Sequence, residues 1–287
     1  MGILRQTQTD LELIIVDDCS LDNSWDVIRS LAAKDCRIRT IRHDQNLGAS
    51  KSRNDGLHAT SGQFIGFCDA DDIWERDKLE VQLNLLRDNP GFDAVYCDAA
   101  IIDESGLPTR TRFSERFPPP KVSSGFLFRD LVACNFINMQ SVLIRKECLR
   151  STGYFDEEIK WVEDWWYWIR LSRHHRFLYS PQLLARYRMH SGSTSLVQKR
   201  GYHANRFKVL RRILGQYADL PSFVQADVVF KMGVALCKLG KLEMGRRLLW
   251  GAVRLSMMDL RAFSSLCRSL RHLIIISCQD SRPLSLK

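Results

Sequence analysis

Short apolar runs alternate with polar and amphipathic stretches along the first two thirds of the chain. One run, at residues 11–16, ends on two carboxylates, and another, at residues 64–68, is followed by three aspartates within four positions. Polar helix caps and apolar residues spaced three or four apart predict helices between such runs. Because strands and helices alternate over short connections, we expect an α/β fold with a mostly parallel sheet flanked by helices.

The same pattern predicts each element up to residue 190. We expect strands at residues 11–16, 37–42, 64–68, 93–99, 139–145, 177–180 and 183–190. We expect a helix that ends near residue 34 and further helices at residues 48–60, 76–87, 126–133, 146–152 and 161–175. A crossing loop is expected at residues 103–121, because Pro108 and three consecutive prolines interrupt that stretch.

From residue 199 the periodicity is helical throughout. We predict four amphipathic helices up to residue 272, with breaks near residues 215–221, at Gly240 and near residue 258. The spacing of small and apolar residues at 228–257 fits one tetratricopeptide-type unit, but a plain helical bundle is the alternative, because such arrays need about three units. The predicted domains are therefore 1–198 and a C-terminal α-helical region at 199–287.

The net charge of +9 is unevenly distributed. Residues 1–198 contain 25 Lys and Arg against 28 Asp and Glu, whereas residues 199–287 contain 17 against 5. Basic amphipathic helices bind anionic membrane surfaces or acidic proteins, so we expect peripheral membrane contact through this region. No nucleic-acid reading module is recognisable, and nucleic acid is not an expected partner.

Cysteine usage and hydropathy bear on the compartment. The nine cysteines are scattered and form no Cys-x-x-Cys pair, which is typical of buried thiols in a reducing cytosol. No apolar run approaches the ~20 residues that span a bilayer, and no secretory signal is visible. The sequence thus predicts a cytoplasmic protein, peripheral at the inner face of the membrane if the basic helices bind lipid.

The aspartates after the run at residues 64–68 are candidate metal ligands. Side chains two apart share one face of a strand, so Asp69 and Asp71 point the same way. Neighbouring carboxylates repel each other unless a cation lies between them. Mg²⁺ and Mn²⁺ bind carboxylate and water oxygens and often bridge to phosphates. A solvated acidic turn is the alternative, because Asp-x-Asp alone is a common sequence.

Five blocks occur in a fixed order: DLELIIVDDCS, HDQNLGASKSRNDG, SGQFIGFCDADDIWERDKLEVQ, STGYFDEEIKWVEDWWYWIRL and YRMHSGSTS. In this order they resemble the family 2 glycosyltransferases of GT-A fold, over residues 3–196. The resemblance implies a metal-dependent, inverting enzyme that uses Mg²⁺ or Mn²⁺. It implies a nucleotide-diphosphate sugar donor, with UDP-sugars favoured, and a glycan or lipid-linked acceptor.

Three residues match donor-binding positions of that family. Asp18 matches the carboxylate that accepts a hydrogen bond from the nucleotide base, with a helix cap as its alternative role. Arg53 matches an arginine near the nucleotide, and a solvated helix-face arginine is its alternative. Asp69 matches the first aspartate of the family's Asp-x-Asp, which lies near the ribose or the metal.

Three further residues match the metal and catalytic positions. Asp71 matches the metal-binding aspartate, and His190 matches a histidine near the metal or diphosphate, although a structural histidine is as common. Asp164 matches the base that takes the acceptor proton, although an acidic residue at a helix N-terminus is also common. Most of the four tryptophans around Asp164 are expected in the core, with one sugar contact at most.

The resemblance also predicts an apolar strand ending in Thr-Tyr-Asn ahead of residue 3, and the chain lacks it. Either the start of the chain has been assigned too far downstream, or the predicted catalytic domain is truncated at its amino terminus. The alternative function is a catalytically inactive fragment whose basic helices form a membrane or protein interaction module. A nucleotidyltransferase also fits the paired aspartates, but it needs a glycine-rich phosphate loop that is absent here.

Overall fold

The structure is a computed structural model that describes residues 2–118, 124–190 and 199–257. The chain forms two compact units that divide between residues 197 and 198. Within the described ranges, no helix has both the length and the apolar character needed to cross a bilayer.

The first unit contains eight described strands. They are β1 (Leu13–Asp17), β2 (Ile38–Arg42), β3 (Phe64–Gly66), β4 (Ile73–Trp74), β5 (Ala94–Ile102), β6 (Pro108–Arg112), β7 (Val142–Arg145) and β8 (Phe177–Arg188). Its helices are α1 (Ser24–Ala32), α2 (Ala49–Ala59), α3 (Lys78–Asp88), α4 (Phe113–Arg116), α5 (Phe128–Ala133), α6 (Leu149–Thr152) and α7 (Glu163–His174). Short 3-10 helices occur at Ile3–Arg5, Met139–Ser141 and Lys146–Cys148.

The strands form two sheets. β1 and β2 pair in parallel, and the other six form one sheet in the order β3-β7-β5-β8-β4, with β6 paired to β5. In the larger sheet β5 and β8 are parallel, whereas the four other strand pairings are antiparallel. The α/β class with flanking helices is confirmed, but the larger sheet is mixed and not mostly parallel.

Connection length explains one of the four antiparallel pairings, that of β5 with β6. Parallel neighbours need a crossover of a dozen or more residues, whereas antiparallel neighbours can be joined by a tight turn. β6 follows β5 after a turn closed by the Asp103 backbone N–H, which donates to the Leu107 carbonyl oxygen over 2.9 Å. β6 lies inside the expected loop at 103–121, so that prediction was wrong. Pro108 is the first residue of this exposed edge strand, a position where its missing N–H costs no ladder hydrogen bond.

The core of the first unit lies around β5 and α7. Every residue of β5 except Ala100 is buried, as expected for a central strand with packed faces. On α7 the side chains of Trp165, Trp166 and Trp168 are buried, and Trp165 Nε1 donates to the Leu131 carbonyl oxygen over 2.6 Å. The prediction that most of the tryptophans are core residues is confirmed.

The described part of the second unit consists of α8 (Lys199–Gln216), α9 (Ser222–Lys238) and α10 (Leu242–Met257). The helices α9 and α10 are joined at Gly240, whose φ of 80° is a left-handed value that favours glycine. Two glycines, Gly233 and Gly245, allow α9 and α10 to approach closely, because a Cβ atom on Gly245 would overlap Cys237 Sγ. The fourth predicted helix lies outside the described residues.

Candidate active site

Asp18 follows β1 and holds the start of α2. Its Oδ1 accepts a hydrogen bond from the Leu47 backbone N–H over 2.8 Å, and its Oδ2 accepts one from Gly48 N–H over 2.7 Å. Gly48 has a φ of 88°, a left-handed conformation that glycine adopts without steric cost. The Asp18 carboxylate therefore fixes the turn that begins α2.

His43 lies between two carboxylates at the same place. Its Nδ1 is 2.8 Å from Asp18 Oδ1, and its Nε2 is 2.9 Å from Asp55 Oδ2. The hydrogen bond with Asp18, together with that of Asp55, raises the pKa of His43 above its usual value, although burial acts against it. Burial would raise the pKa of Asp18, but His43 and the two backbone amides lower it overall. Asp18 is thus ionised at neutral pH, with both oxygens already accepting hydrogen bonds from the protein.

Arg53, one turn further along α2, joins two distant acidic residues. Its Nη2 donates to Asp69 Oδ1 over 2.8 Å, and its Nη1 donates to Glu163 Oε1 over 2.7 Å. The Arg53 side chain is only 16% exposed. Burial acts against its charge, yet the two carboxylates raise the pKa of Arg53 above its usual value. This guanidinium ties the loop after β3 to the first residue of α7.

Asp164 follows Glu163 in the first turn of α7. Its Oδ2 accepts a hydrogen bond from Asn135 Nδ2 over 3.1 Å, and its Oδ1 accepts one from Trp165 N–H over 2.6 Å. Burial, followed by the negative charge of Glu163, raises the pKa of Asp164 to about 7. A carboxylate that exchanges its proton near neutral pH can act as a general base.

The acidic loop between β3 and β4 contacts the chain that follows β8. The Nε2 atom of His190 lies 3.3 Å from Asp71 Oδ2, and Asp72 Oδ1 accepts a hydrogen bond from Arg188 N–H over 2.8 Å. The side chains of Asp69 and Asp71 are 44% and 47% exposed. Burial, and then the charges of Asp69 and Asp71, raise the pKa of Asp72 to about 8. The loop therefore presents the carboxylates of Asp69 and Asp71 at partly exposed positions.

This donor set fits a divalent cation. Exposed carboxylate oxygens beside an imidazole nitrogen are ligands that Mg²⁺ and Mn²⁺ accept. A bound cation would also offset the repulsion among these neighbouring carboxylates.

Comparison with known proteins assigns the chain to a family. The model of Glycosyl transferase family 2 matches residues 2–146, half of the 287-residue chain. The chain belongs to glycosyltransferase family 2. It is therefore a glycosyltransferase, as the resemblance of the five blocks implied.

One relative of this family 2 glycosyltransferase is Escherichia coli WfaP, described as a UDP-Glc:alpha-D-GlcNAc-diphosphoundecaprenol beta-1,3-glucosyltransferase. It is 30% identical over 211 residues, which cover 73% of this chain and 74% of WfaP. The fold resembles that of S. aureus TarS 1-349 in complex with UDP-GlcNAc, with a TM-score of 0.60 and 18% identity, over 92% of this chain and 82% of TarS 1-349. It also resembles the Pyrobaculum calidifontis mannosyltransferase PcManGT in complex with GDP-Man and Mn²⁺, with a TM-score of 0.50 and 19% identity, over 95% and 74% of the two chains.

Most residues predicted for the family 2 site lie in two connected groups. Asp71 and His190 contact each other, and Asp69 is connected through Arg53 and Glu163 to Asp164. The Asp18 carboxylate lies at the start of α2, where it accepts a hydrogen bond from the Gly48 N–H, five residues before Arg53; the helix that follows Asp18 in sequence is α1. The structure thus adds a capping role for Asp18 and an ion-pair role for Arg53.

Three residues that contact the predicted site residues were not themselves predicted: His43, Glu163 and Arg188. The Glu163-Asp164 pair was visible in the sequence, but the partner of Glu163 lies 110 residues away. Of the four tryptophans predicted around Asp164, Trp161 is partly exposed, and its φ of 62° is unusual for an aromatic residue. Trp161 is the tryptophan left available for a sugar contact.

Proposed function

We propose that this enzyme transfers a sugar from a nucleotide-diphosphate sugar to a hydroxyl group of a glycan or lipid-linked acceptor, with inversion at the anomeric carbon. A UDP-sugar donor is favoured, because the name of WfaP states UDP-Glc as its donor and a diphosphoundecaprenol-linked sugar as its acceptor. TarS was crystallised with UDP-GlcNAc, which supports the same donor class.

The observation that carries this proposal is the position of Arg53 between Asp69 and Glu163. Asp69 and Asp71 belong to one short loop, and Glu163 precedes Asp164 directly. A single buried guanidinium therefore sets the distance between the acidic loop and the proposed base. Groups that act on the two sides of one reacting carbon need such fixed spacing.

Asp71 and His190 would hold a divalent cation, with Asp69 beside it near the donor ribose. The cation would neutralise the charge that develops on the diphosphate leaving group. The exposure of both aspartates leaves their oxygens accessible, and PcManGT in complex with Mn²⁺ provides a precedent on the same fold.

Asp164 takes the proton of the acceptor in this scheme. The acceptor oxygen attacks the anomeric carbon, the bond from that carbon to the diphosphate oxygen breaks, and the hydroxyl proton moves to the Asp164 carboxylate. The hydrogen bond from Asn135 Nδ2 leaves the carboxylate oriented, and the pKa of about 7 keeps it both basic and largely ionised at slightly alkaline pH.

Calorimetry with UDP and Mn²⁺ tests the proposal. Binding should require both components and should disappear in Asp71→Ala. Asp164→Asn should bind UDP and Mn²⁺ as the wild type does, yet consume a UDP-sugar donor at least about 10²-fold more slowly. The proposal fails if no nucleotide binds in the presence of Mn²⁺, or if Asp164→Asn retains full turnover.

We also propose that the basic second unit brings the enzyme to the inner face of the membrane. On α10 the side chain of Trp250 is 65% exposed, and Arg246, Arg247 and Arg254 lie within one turn of it and are exposed as well. Tryptophan among arginines favours the boundary between lipid headgroups and acyl chains. A lipid-linked acceptor would be found at the same surface.

A further inference from the structure

Arg188 lies at the end of β8, two residues before His190, and contacts the acidic loop twice. Its backbone N–H donates to Asp72 Oδ1 over 2.8 Å, and its Nε donates to the Asp71 carbonyl oxygen over 2.8 Å. Arg188 therefore binds two consecutive residues of the loop. Its side chain contacts the backbone of Asp71, and its backbone contacts the side chain of Asp72.

The rest of the Arg188 guanidinium reaches the turn between β5 and β6. Its Nη1 donates to the carbonyl oxygens of Asp103 and Glu104, each over 3.0 Å. That turn is closed by the Asp103 carboxylate, which accepts hydrogen bonds from Leu107 N–H over 2.9 Å and from Ser105 Oγ over 2.6 Å. One side chain thus joins the acidic loop, β8 and the hairpin beside them.

We infer that Arg188 is a positioning residue for the cation site, an inference that rests on the function proposed above. Asp71 and His190 are 119 residues apart in the chain, and their side chains meet at 3.3 Å. Arg188 fixes the Asp71 backbone to the strand end that leads to His190. Groups that orient metal ligands typically contribute about 10- to 100-fold to metal affinity.

Arg186 offers a matched control. It lies two residues earlier on the same face of β8, so its side chain points to the same side of the sheet. Its Nε donates to Glu75 Oε1 over 2.5 Å, and its Nη2 donates to Glu75 Oε2 over 3.2 Å. The Arg186 side chain makes no described contact with the acidic loop. Loss of Arg186 removes an equal charge and a similar side chain without releasing Asp71.

The test measures Mn²⁺ binding to the full chain in saturating UDP. Binding is monitored by calorimetry and by the electron paramagnetic resonance signal of free Mn²⁺. Arg188→Ala should weaken Mn²⁺ binding by about 10- to 100-fold, and Arg188→Lys, which can satisfy only part of the carbonyl set, should lose less. Arg186→Ala should stay within about threefold of the wild type, and Asp71→Ala should show no Mn²⁺ binding.

A double-mutant cycle separates positioning from general destabilisation. If Arg188 acts by placing His190 and Asp71 together, Arg188→Ala should cost less in a His190→Ala background than in the wild type. An equal loss in both backgrounds overturns the inference.

Three further results would also decide the matter. If folded Arg188→Ala binds Mn²⁺ with wild-type affinity while Asp71→Ala has lost binding, the inference about Arg188 is overturned and the proposed cation site is retained. If Arg188→Ala does not fold, wild-type affinity in Arg188→Lys overturns it instead. Absence of Mn²⁺ binding by the wild type removes the proposed cation site and the inference with it.

Discussion

Asp164 is the residue whose ionisation should set the pH dependence of transfer. Its pKa is raised to about 7, so the basic form is lost as the pH falls below that value and is complete above it. We expect kcat/KM to rise about tenfold per pH unit below 7 and to level off above 8.

The measurement is a pH profile of sugar release, with UDP and Mn²⁺ binding followed in parallel as the control. Asp164→Asn should lower the rate by about 10²- to 10⁴-fold on the plateau above pH 8 and abolish the pH dependence, so its difference from the wild type should narrow as the pH falls. A rate that is flat between pH 5 and 8, with binding intact, would remove Asp164 as the base.

Arg53 should matter for stability as well as for catalysis. Replacement by alanine leaves Glu163, a mostly buried carboxylate, without its cation, and loss of one partner of a buried pair costs about 3 kcal/mol or more. We expect Arg53→Ala to lower the free energy of unfolding by about that amount, measured by urea denaturation.

Lys51, two residues earlier on α2, provides the comparison for Arg53. It pairs with Asp55 at 2.6 Å, and its side chain is about twice as exposed, at 35% against 16%. Lys51→Ala should cost less than about 1 kcal/mol, as surface pairs do. Equal losses in the two variants would contradict a special role for the Arg53 bridge.

At the scale of the elements, hydrophobic periodicity located most strands and helices. The apolar runs predicted β1, β2, β5 and β7 within two or three residues, and the aromatic stretch predicted α7. The direction of strand pairing was not predictable in the same way. Periodicity reports which face of a strand is buried, whereas pairing depends on contacts between segments that are far apart in sequence.

The site shows the same division. The resemblance pointed to Asp71 and His190, and the structure places them in contact. The contacts of Arg53 and Arg188 could not be read from the sequence, because each arginine binds a partner more than 80 positions away in the chain. A long polar side chain on a helix or strand has many possible partners until the fold selects one.

The pairing of α9 and α10 depends on small residues where they cross. A Cβ atom at Gly245 would overlap Cys237 Sγ and lie 2.9 Å from the Gly233 carbonyl oxygen, so Gly245→Ala must push the helices apart. We expect a loss of about 1–3 kcal/mol, as for other overpacked positions, seen as a lower thermal midpoint of the helical unit.

Gly251 is the control on the same helix. Among the described residues, no atom outside the adjoining residues and the backbone of the same helix lies within 4 Å of a Cβ built there, and alanine favours a helix interior over glycine by about 1 kcal/mol. Gly251→Ala should therefore stabilise α10. Stabilisation by both substitutions would show that the close crossing of α9 and α10 does not constrain the helices.

At the scale of the whole molecule, charge separates the two units more clearly than composition does. The balance is −3 over residues 1–198 and +12 over residues 199–287. The family assignment accounts for chemistry in the first unit, and it leaves the basic character of the second unit to be explained. A surface that carries uniform negative charge is the simplest partner for such a region.

Vesicle binding by the full chain tests this partner. Each cation near an anionic membrane contributes about 1 kcal/mol, so Arg254→Glu, which changes the charge by two, should weaken binding to phosphatidylglycerol vesicles roughly thirtyfold at low salt. Arg110→Glu on the exposed β6 makes the same change in net charge within the first unit and should have little effect. Trp250→Ala should reduce the binding that survives in about 0.5 M salt, because the indole contributes apolar contact that ions do not screen. Equal loss in Arg254→Glu and Arg110→Glu would mean that only total charge matters, and equal binding to neutral phosphatidylcholine vesicles would argue against an anionic surface as the partner of α10.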